Sequence, residues 1–449
     1  MEPRVMEPRY WKRYVSRVHF LVLILLMARN SSGSAQDVLT YHGDSLRTGW
    51  FSSETQLTVS KVNGQTFGLL HTVVLDGRVD AEPLYVSQLT IPLKGVHNVV
   101  FVVTENNSLY RIDADTGKIV GRRKFGSAVP YQYKNYDDNV FPVMGILGTP
   151  VIDRSAGVIY LVADTYNGKV DAFRLHAISI TTLKDVVPPA LIKFSARLAD
   201  GTTWKFNPRY HLQRPGLLEA NGSIYVAFGS NGDTQPDQSR GSIVRYDANT
   251  LAFLDSDVTD TLDLNTSPYY LSAIWQSGYG VAADSNGDIY FTEQGQTGLH
   301  DPTGRVYRLS RQGKLDCLID TGISPNGLVL DPTETVLFVA MTRDNAIWRV
   351  PLMKDGGVAK VGRFCSTFGT SGPDGLTMDK AGRLFVAHAS LGHVFVFAPN
   401  GELIARIKSC AGPSCTNVAI GGNNSDRLYV TESVTGTVLV ADISVLDNR

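Results

Sequence analysis

Net charge, long apolar runs, cysteine and helical periodicity are all scarce in this chain. Lysine plus arginine (42) nearly cancels aspartate plus glutamate (43), leaving a formal charge of −1. No basic run interleaved with aromatics follows the N-terminus, so neither nucleic acid nor an anionic membrane surface is expected as a partner. The apolar run Phe20–Ala28 is roughly nine residues long, against about 20 needed to cross a bilayer. The four cysteines, Cys317, Cys365, Cys410 and Cys415, fall in the last third and never in C-x-x-C spacing, which excludes the usual zinc-site pattern.

What is present at the N-terminus reads as targeting. Arg4, Arg9, Lys12, Arg13 and Arg17 precede the apolar run, and Gly33 and Ala35 are the small residues a signal peptidase prefers. The expected leader is therefore residues 1–35, giving a secreted, extracellular protein, with an uncleaved signal anchor as the alternative. Asn106, Asn221, Asn265 and Asn423 open N-x-Ser/Thr sequons, consistent with a glycoprotein. Four cysteines permit three pairings; Cys410 with Cys415, around Gly412–Pro413, is the expected disulfide.

Downstream, two β-rich motifs recur in step. One is a short apolar run, such as Val158–Asp164, Asp288–Glu293 or Arg383–His388, often introduced by an Asp-x-x-Gly-like turn. The other follows it and alternates apolar with polar residues, as in Lys169–Leu175, Arg305–Leu309 and His393–Phe397. Seven copies of each occur. Ahead of each pair an inner strand is expected, starting at Glu82, Thr149, Arg214, Tyr279, Asn326, Asp374 and Asn417. The spacing is roughly 65 residues in the first half and roughly 45 in the second, where propeller repeats fall. The pattern predicts an all-β fold: a single β-propeller of about seven four-stranded blades, with six or eight as alternatives. The last repeat has three strands, and Phe67–Leu75 is the expected N-terminal strand that closes the ring. An open β-solenoid is the competing architecture.

Two resemblances divide the ring. "SPNGLVLDPTETVLFVAMTRDNAIWRV" (324–350), "GPDGLTMDKAGRLFVAHASLGHVFVFAPNGEL" (372–403) and "TNVAIGG" (416–422) resemble the senescence-marker-protein, gluconolactonase and luciferin-regenerating-enzyme family, which includes regucalcin. "YRIDADTGK" (110–118) and "GILGTPVIDRSAGVIYLVADT" (145–165) resemble quinoprotein-type repeats. The tryptophan usual after that turn and the vicinal cysteines of many quinone enzymes are missing, so pyrroloquinoline quinone is not expected. The implied organisation is an extension over 36–66, quinoprotein-like blades over 67–272 and gluconolactonase-like blades over 273–449.

The gluconolactonase resemblance implies a divalent cation at the channel mouth, with calcium, manganese or zinc the expected candidates. Asn326 matches the asparagine ligand, and Asp374 matches the aspartate that also serves as general base. Gly148 stands where the glutamate ligand should be, and Tyr279 replaces a second asparagine. Glu82 is the expected substitute carboxylate. With two polar groups replaced, weak cation binding and little gluconolactone hydrolysis are expected. In the competing reading, Asn326 and Asp374 are turn formers before Gly327 and Gly375. The ends of the second strands, Glu105, Asp164, Glu293, His388 and Glu432, form another ring, with Glu293 and His388, beside Tyr279, expected to bind substrate. Alternatively these five are polar because strand ends meet solvent. The functions that remain are a metal-dependent lactone or ester hydrolase with a degenerate site, and a non-catalytic propeller binding a small molecule, glycan, peptide or protein at its mouth.

Overall fold

The structure is a computed structural model that describes residues 37–45, 47, 71–134, 142–231, 239–261, 273–274, 281–295, 298–421, 427–435, 437–444 and 446. The expected leader, most of the 36–66 extension, Tyr279 and the sequons at Asn265 and Asn423 lie outside the described residues.

The chain folds as a succession of antiparallel meanders, each laid down in chain order. The first sheet comprises Leu84–Ile91, Gly95–Thr104, Ser108–Asp113 and Ile119–Lys124. Six more follow, with inner strands Val151–Asp153, Leu218–Ala220, Ala282–Ala283, Pro325–Leu330, Pro373–Met378 and Cys415–Gly421. The turns inside the sheets obey local chemistry. Asp379 Oδ1 accepts from the amides of Ala381 and Arg383, and Gly382 takes a φ of 77° that a side chain would oppose. Asp284 and Gly287 build the same turn in the fourth sheet.

Alternation along the strands then dictates packing. The sheets between the first and the last have apolar residues on both faces, so each buries itself between its predecessor and its successor. Leu84, Phe101 and Leu109 of the first sheet pack with Ile152, Ile159 and Leu161 of the second. The same holds from sheet to sheet up to Phe385, Ala387 and Val394 of the sixth against Val418, Leu428 and Val430 of the seventh. Each such buried side chain contributes roughly 1.5–3 kcal/mol, so the stack is held chiefly by these inter-sheet seams. The architecture is all-β and propeller-like, as the repeat predicts.

Among the described residues the seventh sheet has three strands, as expected, and Tyr429, Val438 and Val440 remain exposed on it. Residues 71–75 form no strand; Val73 and Leu75 lie against Val102, Tyr110 and Ile112 of the first sheet. The described part of Phe67–Leu75 is therefore packed onto the first sheet and is not paired as a fourth strand of the seventh. The expected Cys410–Cys415 disulfide is also not formed. All four cysteines are free thiols, with Cys415 buried in the seam of the last two sheets and Cys410 exposed.

Candidate functional site

Antiparallel register brings the start of each inner strand to the end of the second strand: Pro373 pairs with His388, and Cys415 with Glu432. Two sets of side chains thus share one end of the sheets. In the C-terminal half, the inner strands approach closely because they carry glycine. A Cβ on Gly327 would collide with the Asp374 carbonyl and lie 2.9 Å from Gly375 Cα. One on Gly375 would collide with the Asn417 amide and lie 2.8 Å from Asn417 Cα. Asn326 and Asp374 are therefore strand residues whose following glycines permit close approach, and the turn-former alternative is set aside. Threonines hold these starts in place: Thr292 Oγ1 donates to the Asn326 carbonyl and Thr342 Oγ1 to the Pro373 carbonyl, both at 2.8 Å.

Asn326, Asp374 and Asn417 are each half-buried. Burial pushes the Asp374 carboxyl up to about 6, while a hydrogen bond from the Asn326 side chain pulls it down. Asn417 completes this arc. Sequence reading placed it only as a strand start, although it shares its register with Asn326 and Asp374.

The second ring is sealed. Glu105, Asp164, Glu293, His388 and Glu432 are between 0 and 3% exposed, so solvent contact does not explain their polarity. Most have local partners. Glu432 accepts from the amides of Ser414, Val434 and Thr435 and from the Thr435 hydroxyl, which hold its carboxyl down to about 2. Glu293 accepts from the Gly295 amide at 2.8 Å; burial raises it to about 7 against the pull of Arg305. His388 accepts from the Ser390 amide at 3.4 Å, and burial lowers its pKa. Asp164 receives Lys134 Nζ at 2.7 Å, and Asp171 lies 3.1 Å from the same nitrogen. Lys134 also donates to the carbonyls of Pro208 and His211, tying a short helix, Tyr131–Lys134, to the second and third sheets.

A strap formed by residues 37–45 and 47 runs along the inner-strand starts of the N-terminal half. Val38 bridges Tyr85, and the Leu39 carbonyl accepts from Ile152. The Arg47 guanidinium, 2% exposed, donates to the carbonyls of Leu217 and Val281, to the Tyr41 carbonyl and to the Thr40 hydroxyl. The Ala283 amide donates to Ser45. The strap claims Glu82: the His42 amide donates to its carboxylate at 3.0 Å, and Arg47 supplies positive charge that offsets the rise from burial. Next to Glu82, Thr149 accepts the Glu82 amide on its hydroxyl, and the space before Gly148 is filled by Gln213, whose Oε1 would lie 2.5 Å from a Cβ there. The Pro215 backbone carbonyl, also 2.5 Å from such a Cβ, thus opposes any larger side chain where the expected glutamate ligand would stand.

Among the described residues no three His, Cys, Asp or Glu side chains gather as a metal cluster. The oxygen donors at the C-terminal arc are one carboxylate and two amides. Such a set fits a hard, oxygen-seeking cation, and its single negative charge makes for weak binding.

Residues 280–434 match the family profile described as the SMP-30/gluconolactonase/LRE-like region. A gluconolactonase from Zymomonas mobilis subsp. mobilis is 31% identical over 225 residues, covering 46% of this chain and 61% of that protein. Pentonolactonase XacC from Haloferax volcanii is 30% identical over 131 residues, 28% of this chain and 44% of that protein. The matched stretches thus span less than two thirds of either relative. Among solved structures, the quinohemoprotein alcohol dehydrogenase from Comamonas testosteroni aligns with a TM-score of 0.46 at 12% identity, covering 90% of this chain and 77% of that one.

Proposed function

We propose that this protein hydrolyses lactones or related esters at the arc formed by Asn326, Asp374 and Asn417. The observation that carries this reading is the half-buried Asp374 carboxyl, facing Asn326 across adjacent inner strands, inside the stretch that matches lactonases. A divalent cation would be held by Asn326 and Asp374, and its chemistry is to polarise the lactone carbonyl. The chain's own residues handle the proton. Asp374, raised to about 6, is ionised at neutral pH and takes a proton from water as its oxygen bonds to the carbonyl carbon. The same carboxyl returns that proton to the ring oxygen as the C–O bond breaks, giving the hydroxy acid. Asn326 fixes the orientation of the carboxyl. We further assign the protein to the extracellular space, with residues 1–35 removed and glycans on its sequons. We also assign it seven blades, quinoprotein-like up to 272 and gluconolactonase-like from 273.

The test is hydrolysis of glucono-1,5-lactone with calcium, manganese and zinc, alongside calorimetric cation binding. Slow, cation-dependent turnover is expected, reduced at least about 100-fold in Asp374→Asn. Turnover or cation binding that survives this substitution overturns the reading. The filled space at Gly148 favours a second reading, a ligand-binding propeller without catalysis, which stands if the wild type binds ligand but turns over no lactone.

A further inference from the structure

We propose that Cys410 and Cys415 form a two-thiolate site for a soft, closed-shell monovalent cation, of the class of copper(I), between the sixth and seventh sheets. Both cysteines are free thiols, and both line one cavity of about 60 Å³. Its other walls include Val394 and Ile407 of the sixth sheet and Val430 and Leu439 of the seventh. A single water needs roughly 10–15 Å³, so the space admits one ion. Cys410 is exposed and Cys415 is 1% exposed, so one sulfur meets solvent and the other belongs to the buried seam.

The loop that carries the two thiols is held in shape by its neighbours. Residues 409–414 join Leu403–Lys408, the last strand of the sixth sheet, to Cys415–Gly421, the first of the seventh. The Ser409 amide donates to the Gly392 carbonyl at 2.7 Å, and the Gly392 amide donates to the Pro413 carbonyl at 2.6 Å. One residue thus ties down both ends of the loop, which doubles back and sets Cys410 and Cys415 on the same cavity. Ser414 Oγ donates to the Ala389 carbonyl, and the Ser409 side chain hydrogen-bonds Cys415. Ligands held by their surroundings before the ion arrives bind it at a smaller entropic cost.

The donor set selects the ion. Thiolates are soft ligands that favour copper(I), zinc or iron–sulfur clusters. Zinc takes four ligands, and among the described residues no third His, Cys, Asp or Glu joins this pair. The Glu432 carboxylate beside the loop is already taken by the amides of Ser414, Val434 and Thr435 and by the Thr435 hydroxyl. Two sulfurs between apolar walls suit an ion that is content with two ligands, as copper(I) is. Two S–Cu bonds form, two S–H protons pass to solvent, and the metal keeps its oxidation state, so the step needs no oxidant or reductant. The site does not depend on the lactone-hydrolase reading, because Asn326, Asp374 and Asn417 contribute nothing to it.

The experiment is anaerobic titration of the reduced full chain with copper(I), in competition with the chromophoric chelator bathocuproine disulfonate. The wild type should retain one equivalent, and Cys410→Ser should lose it. Cys317→Ser, which removes the other exposed thiol, should retain the equivalent unchanged. Alkylation of the unsubstituted chain, read by peptide mass mapping, is a second readout: copper(I) should shield Cys410 from iodoacetamide and leave Cys317 as reactive as before. This readout decides if Cys410→Ser does not fold. No copper(I) retained by the wild type, equal retention by Cys410→Ser, retention lost in Cys317→Ser, or Cys410 alkylated equally with and without the ion would each overturn the proposal.

Discussion

The two halves of the mouth occupy equivalent positions of one repeat and have opposite electrostatics. On the N-terminal side charge is abundant and largely compensated. Lys134 bridges Asp164 and Asp171, Arg47 and the His42 amide engage Glu82, and Arg78 pairs with Asp80. On the C-terminal side Asp374 stands between neutral amides, and burial raises its pKa. Compensated charge locks structure, because removing one member strands another in a poorly solvating environment. A carboxyl with neutral neighbours keeps its proton affinity near neutrality, the condition for acid–base work. Among the described residues, the strap and the Tyr131–Lys134 helix make their contacts with the first four sheets, which accounts for the difference.

The strongest way to break this contrast is Lys134→Met. It leaves Asp164 and Asp171 buried without their cation and should cost about 3–5 kcal/mol of unfolding free energy, measured by urea denaturation. A loss below about 1 kcal/mol, the range of exposed pairs, would remove the claim that this side is locked by charge.

A pH profile sharpens the comparison with a more moderate effect. Burial pushes Glu105, which also faces Asp80, up to about 8, and Glu293 up to about 7. Both folded values exceed the ordinary 4.5, so the folded state holds protons that the unfolded chain releases. Their stabilising contribution is complete below about pH 4.5 and is lost as pH rises through 7 and 8. The melting temperature should therefore fall between pH 5 and pH 8. Glu293→Gln should flatten the lower part of that fall and Glu105→Gln the upper part. A profile unchanged by both substitutions would contradict the assignment.

The smallest stability effect belongs to Asp374→Asn. It replaces a half-buried carboxyl of raised pKa by a neutral isostere, which removes the desolvation cost of the carboxylate, so unfolding free energy at pH 7.5 should rise, by about 1 kcal/mol. A large destabilisation would show that Asp374 is structural, like its counterparts across the mouth.

Several of these features are legible in the residues. The seven paired motifs give the sheets in order, and Asp379 with Gly382 marks a turn through its own local chemistry. The glycines after Asn326 and Asp374 point to the arc, although their reason is close approach between strands and not turn formation. The burial of Glu105, Glu293 and His388 is not legible, because a strand end looks the same in sequence whether water or a neighbouring sheet covers it. Cys410 and Cys415 also illustrate the limit: five positions apart, they are drawn to different surroundings by a strand that buries one of them.

What the sequence alone determined is whatever depends on neighbours along the chain: alternation, turn residues and the count of repeats. Tertiary structure decided which distant groups meet. The strap bonds through Arg47 to the carbonyls of Leu217 and Val281, and backbone carbonyls carry no residue signature by which such partners could be read. Lys134 likewise finds Asp164, Asp171 and the Pro208 and His211 carbonyls only once two sheets are stacked, because desolvation and pairing are properties of the assembled interior.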